Sequence, residues 1–239
     1  LNNEMVSLRG LWVLFLLCCS KSQLGSVKLI VRDLFPLWLE KLGILRRTNI
    51  SFRVLSAVAK IQFSKATEIY IQSTADTVAL KKEYGLQDNK FKYLQSWYRE
   101  SQNEALSPEI LNMCNDPRKK ILMLGTFGIA QNRDFLTDVL ETFFIKNTSA
   151  LLFVVGMKPH DLSALMKKLG MYELKGQIIV IDRLTHDQSV SLGKYCDLGI
   201  ASLAAGNTSG NVPGKFLAYL MSGLPTFSIS PKTFELSHL

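Results

Sequence analysis

Histidine and cysteine are both scarce in this 239-residue chain, with three of the first and four of the second. Cys18, Cys19, Cys114 and Cys196 include an adjacent pair and show no framework spacing. That excludes a disulfide scaffold and points to a reducing, cytosolic setting. His160, His186 and His238 form no Cys/His pattern with ligand spacing, so no metal site is expected. No GxGxxG follows any predicted strand, which disfavours a nicotinamide-dependent Rossmann enzyme. Seven prolines, 15 glycines and no repeat or low-complexity tract exclude collagen-like and disordered classes. Long apolar runs are also missing. Leu11–Cys19 (LWVLFLLCC) is too short to span a bilayer. With Met5 and Arg9 ahead of it, the run has the layout of a signal peptide. A buried or membrane-surface helix is the preferred reading, in a chain that begins at Leu1 and reads as a piece of a longer one.

Positive charge is plentiful: 28 Lys and Arg against 20 Asp and Glu leave +8. The excess divides evenly about residue 117, so no basic tail carries it. Such a balance suits an anionic partner and says nothing of fold.

From Gly25 onward, short β-type runs alternate with helical periods. Strands are expected at 27–31, 68–72 and 91–95, with a basic amphipathic helix over about 51–65. A polar connection, ESQNEALSPEILNMCN (100–115), ends at Asp116-Pro117 and marks the expected domain boundary. The domains are thus 1–117 and 118–239. Further strands are expected at 120–124, 151–155, 177–181, 198–202 and 226–228. Helices lie between them, one with Phe135, Leu136, Val139, Leu140 and Phe143 facing inward. Strands spaced by helices of this length mean βαβ units and a parallel sheet, hence an α/β fold with a Rossmann-like second domain.

In an open α/β sheet, ligands bind beyond the carboxyl ends of the strands. Two loops there stand out. Gly125–Gln131 (GTFGIAQ) runs from strand to helix, and Gly125 and Gly128 let backbone N–H groups approach a ligand. Ala205–Lys215 (AGNTSGNVPGK) precedes an apolar helix, with Asn211 placed to cap it, Pro213 at its first position and Gly214 leaving the first turn open. Free N–H groups at a helix start attract phosphate, and Lys215 adds a full charge there. Tyr219 and Phe216 read as core, His160 and His186 as polar loop residues. Arg46, Arg53 and Lys60 recur at seven-residue steps and suggest a basic face for an anionic membrane surface.

LGTFGIAQ (124–131), LLFVVG (151–156), CDLGIASL (196–203) and above all VPGKFLAYLMSGLPTF (212–227) resemble the nucleotide-binding domain of GT-B fold, family 4 retaining glycosyltransferases. IVRDLFPLW (30–38), IQSTAD (71–76) and LQSW (94–97) resemble the end of the acceptor domain in bacterial O-antigen and capsule transferases. SGNVPGK (209–215) is closest to the loop of those moving amino-deoxy sugars of the L-fucosamine type.

The resemblance implies a GT-B-like fold with a partial acceptor-side domain, and glycosyl transfer from a UDP-sugar to a lipid-linked saccharide. The work would take place at the cytoplasmic membrane face, with no nucleic acid and no cofactor beyond the donor. In this reading Gly125, Thr126, Gly128 and Gln131 line the nucleotide. Lys215 neutralises the diphosphate beside Gly214, and Asn207 and Asn211 bond donor hydroxyls. The family's ribose-binding glutamate falls at Ala218, where no carboxylate is available. With only part of an acceptor domain, the isolated chain is expected to show little transfer. A UDP-sugar epimerase of the same architecture and a nucleotide-sugar-binding scaffold without activity are the rival readings.

Overall fold

The computed structural model describes residues 26–94, 100–127, 131–169, 176–204 and 213–230. They fall into two compact units, one holding the described residues through 94 and the other those from 100 onward.

In the first unit, β1 (Lys28–Ile30), β2 (Glu68–Ile71) and β3 (Phe91–Tyr93) pair in parallel in that order. Helices α1 (Leu37–Lys41), α2 (Ile50–Lys65) and α3 (Thr74–Tyr84) connect them. In β2, Ile69 and Ile71 point to the buried side, as the two-residue period of a strand requires. Phe52, Ala59 and Phe63 of α2 join the same core. The Ser73 hydroxyl caps α3 by accepting the Ala75 N–H at 3.1 Å, and Gly85 closes the helix at φ +66°. This helix is absent from the sequence expectations. Its buried residues are Asp76, Leu80 and Tyr84, so no apolar stripe announces it.

The second unit holds a five-stranded parallel sheet in the order β6-β5-β4-β7-β8. The strands are β4 (Lys119–Leu124), β5 (Ala150–Val155), β6 (Ile178–Ile181), β7 (Leu198–Ser202) and β8 (Thr226–Ile229). The helices are α4 (Pro108–Cys114), α5 (Arg133–Lys146), α6 (Pro159–Lys168), α7 (His186–Gly193) and α8 (Gly214–Met221). β5 is buried along its whole length, which is why it reads as an unbroken apolar run.

Two expectations need correction here. The helix α5 buries Leu136, Thr137, Leu140 and Phe144, while Phe135 and Phe143 are 50% and 39% exposed. Its apolar stripe is wide enough to allow two phases, and packing on the sheet selects the 136/140/144 row. The polar stretch before Asp116-Pro117 is structured rather than soft. Ser107 caps α4 by accepting the Ile110 N–H at 3.3 Å. Ser191 donates to the Glu104 carbonyl at 2.8 Å, and Thr185 donates to the Glu104 carboxylate at 2.5 Å. Described residues 100–117 therefore belong to the second unit.

Candidate functional site

Strand order reverses direction between β4 and β7, and a crevice at the carboxyl ends of these strands is where such a sheet binds ligands. β4 pairs with β5 over six positions but with β7 only at Ile121↔Leu198 and Leu122↔Gly199. Beyond that point Tyr219 of α8 bridges the two strands. Its hydroxyl accepts the Leu124 N–H at 3.1 Å and lies 3.2 Å from the Leu122 carbonyl and 3.0 Å from that of Ile200. One phenolic proton serves one of these carbonyls at a time. The side chain is fully buried, so a core reading of Tyr219 holds, but its bridging role leaves no mark in the sequence.

Gly125 opens the β4 side. Its φ of +78° turns the chain out of the strand, a conformation that favours glycine, and its N–H donates to the Val155 carbonyl at 2.8 Å. Thr126 follows, exposed, and Phe127 drops back into the core. Gly128 lies outside the described residues. The Gln131 carbonyl accepts from the Ser202 hydroxyl at 2.5 Å, which ties this loop to the end of β7. Asn132, at φ +52°, then enters α5 without a side-chain cap.

On the β7 side, Asn207 and Asn211 lie outside the described residues. Pro213 occupies the N-cap position of α8, one place ahead of the expected N1, and its carbonyl accepts the Phe216 N–H at 2.9 Å. The N–H groups of Gly214 and Lys215 have no acceptor among the described residues. A Cβ on Gly214 would meet nothing within 4 Å, so the chain's own packing does not demand glycine there. Lys215 is half-buried, and desolvation pushes its ammonium down to about 8. No carboxylate pairs with it among the described residues. A desolvated lysine beside free N–H groups in the first turn of a helix is a place that a bound anion would stabilise.

Gly125, Thr126 and Gln131 thus meet one edge of the crevice, and Gly214 and Lys215 the other. Among the described residues no three His, Cys, Asp or Glu come together to hold a metal. His160 sits 3.2 Å from Asp161 at the start of α6, away from these loops. No helix among the described residues is long and apolar enough to cross a membrane.

A parallel sheet with its crevice at the topological switch defines a Rossmann-like, nucleotide-binding class of domain. The fold is that of GT-B glycosyltransferases. No family model matches the chain. It is 22% identical over 215 residues to the probable glycosyltransferase WbjE of Pseudomonas aeruginosa, covering 88% of this chain and 52% of that protein. The chain therefore spans about half the length of this curated relative. Among solved structures it is similar to Anabaena HepE in complex with UDP and glucose (TM-score 0.66, 13% identity, 96% of this chain and 59% of that one). It is also similar to sucrose-phosphate synthase from Thermosynechococcus elongatus (TM-score 0.65, 13% identity, 97% and 55%). At these identities the likeness shows the fold.

Proposed function

We propose that the chain belongs to a retaining, family 4-type glycosyltransferase that moves a sugar from a UDP-sugar to a lipid-linked saccharide in O-antigen or capsule synthesis. The observation that carries this reading is Lys215, uncompensated in the open first turn of α8 at the sheet's switch point. The presence of UDP in the HepE structure and the likeness to WbjE support it. The lipid-linked acceptor places the work at the cytoplasmic face of the membrane.

The chemistry asks the protein mainly for charge stabilisation. As the bond between the anomeric carbon and the β-phosphate oxygen breaks, negative charge gathers on the departing UDP. Lys215 and the N–H groups of Gly214 and Lys215 are placed to receive it. The acceptor oxygen bonds to the anomeric carbon on the face the diphosphate leaves, and its proton passes to the leaving phosphate. Gly125 and Thr126 close the other side of the nucleotide, with Gly128, Gln131, Asn207 and Asn211 completing the cradle.

Ala218 is buried, and α8 carries no carboxylate at all, so the ribose hydroxyls are held without one from this helix. That same observation favours a second reading, a nucleotide-sugar-binding scaffold without turnover. A ligand-observed NMR screen of UDP-, GDP- and ADP-sugars tests the donor class. UDP-sugars should bind and the purine nucleotides should not; selective binding of a GDP- or ADP-sugar would overturn the reading. Sugar incorporation into a lipid-linked acceptor then separates transferase from scaffold.

A further inference from the structure

The first unit carries an open groove of about 380 Å³ between α2 and the C-terminal end of α3. Arg47, Arg53 and Lys60 line it, against the carboxylate of Glu83. Arg47 is already matched within the chain. Its Nε lies 3.0 Å from Glu40, its Nη atoms meet both Glu83 oxygens at 3.0 Å, and its guanidinium stands 5.7 Å over the Phe52 ring. Arg53 and Lys60 are exposed and have no ion-pair partner among the described residues. The Tyr84 hydroxyl also lines the groove. Tyr84 is only 7% exposed, yet its oxygen has no hydrogen-bond partner in the structure, and the facing Ser56 hydroxyl does not close one. A buried phenol left unpaired beside two free cations is poised for an anionic oxygen.

The same helix shows a second, outward apolar row. Ile50, Val54, Ala57 and Ile61 follow at steps of four, three and four, which keeps them on one face. Ile50 is 79% exposed, Val54 56% and Ile61 41%. The helix already buries its opposite side through Phe52, Ala59 and Phe63, so core packing does not explain the outer row. Arg53 and Lys60, seven residues apart, run beside it on the groove side, and Arg46 is exposed just ahead of the helix. Apolar side chains bordered by cations match a bilayer surface, where the first enter the interface and the second meet anionic headgroups.

We propose that this face of α2 seats the protein on an anionic phospholipid surface. One lipid phosphate enters the groove between Arg53, Lys60 and the Tyr84 hydroxyl, while Ile50, Val54 and Ile61 dip into the interface. The seat is built entirely in the first unit and uses none of the donor-site residues. It deepens the proposed transfer to a lipid-borne acceptor, on which it rests only for its purpose.

Sedimentation of the full chain with phosphatidylcholine vesicles, with and without about one-third phosphatidylglycerol, tests it. Each cation near such a surface is worth about fivefold in partition. The Arg53→Gln/Lys60→Gln pair should therefore bind anionic vesicles about 25-fold more weakly at low salt, and Ile50→Ser/Ile61→Ser should also bind less. The pair Lys146→Gln/Lys167→Gln removes equal charge from exposed positions of the second unit and should bind as the parent does. The Leu11–Cys19 run is unchanged in every variant, so its contribution cancels. Equal losses for the two charge pairs would reduce the effect to smeared charge and overturn the proposal, as would equal parental recovery on neutral and anionic vesicles. Inorganic phosphate at matched ionic strength should not release the protein; release would assign the groove to a free anion and overturn the lipid seat. UDP titration of the Arg53→Gln/Lys60→Gln variant should match the parent. A parent that binds vesicles as described but not UDP would sink the donor reading and leave the seat standing.

Discussion

A side chain at position 199 cannot share space with the ring of Tyr219: a Cβ built on Gly199 falls 2.8 Å from two of its ring carbons. The glycine in β7 is what lets α8 press Tyr219 into the gap between β4 and β7. Gly199→Ala should therefore act as overpacking and cost about 1–3 kcal/mol. A lower urea midpoint with an unchanged slope checks it. A midpoint equal to the parent would mean that the ring moves freely, and that the bridge is not rigid.

Tyr219→Phe keeps the ring and removes the hydroxyl that pairs the Leu124 N–H. Leaving that buried donor unsatisfied should cost about 1–3 kcal/mol. Amide exchange localises the effect: the Leu124 N–H should exchange faster, while those of β5, paired on the far side of β4, change only with global stability.

Gly125 and Gly214 make contrasting probes. Neither would crowd a neighbour on gaining a methyl group, but only Gly125 has a positive φ. Gly125→Ala should destabilise by about 1–2 kcal/mol through backbone strain. Gly214→Ala should be neutral or stabilise by up to about 1 kcal/mol through helix propensity. It should nonetheless weaken UDP binding, because its methyl group occupies the open approach to the first turn of α8. Parent-like UDP affinity in Gly214→Ala would show that the ligand does not come that close.

The lowered proton affinity of Lys215 carries a pH signature. Its ammonium titrates near 8 in the folded chain, below the ordinary lysine value of 10.5, because burial disfavours the charge. Burial of this charge weighs against folding most below pH 8, and that handicap fades as pH rises from 8 toward 10.5. A bound diphosphate favours the ammonium and raises its proton affinity. UDP binding should then take up protons above pH 8, and affinity should fall as pH rises through that value. Calorimetry at about pH 8.5 in two buffers of different ionisation enthalpy reads the uptake. Lys215→Ala should abolish it, and uptake that persists in this variant would assign the proton to another group.

The sheet was legible in the sequence because buried parallel strands are continuous apolar runs. Each strand from Lys28–Ile30 to Thr226–Ile229 lies within about two residues of its expected place. Helices without an apolar stripe were not legible. Thr74–Tyr84 buries Asp76, and Pro108–Cys114 sits in a stretch whose polarity suggests a linker. The α5 phase was misjudged because Phe135 and Phe143 are as apolar as the residues that pack. At the site, Gly125 and Lys215 were legible from loop chemistry. Tyr219 and Gly199 were not, since their relation is a contact between residues twenty apart, and no local spacing encodes it. The α2 groove was legible only as a row of basic residues; Tyr84 comes to it from another helix.

Calorimetric titration of UDP into the full chain and its Lys215→Ala variant tests the central claim most directly. A charge-assisted hydrogen bond is worth roughly 1.5–3 kcal/mol, so the variant should bind about 10- to 100-fold more weakly. Lys215→Arg should recover part of this, since a guanidinium is wider than a compact ammonium. Lys167→Ala, at an exposed position on α6, should change nothing. If Lys215→Ala binds UDP as tightly as the parent, the diphosphate is not held at the start of α8 and the account of this site is contradicted.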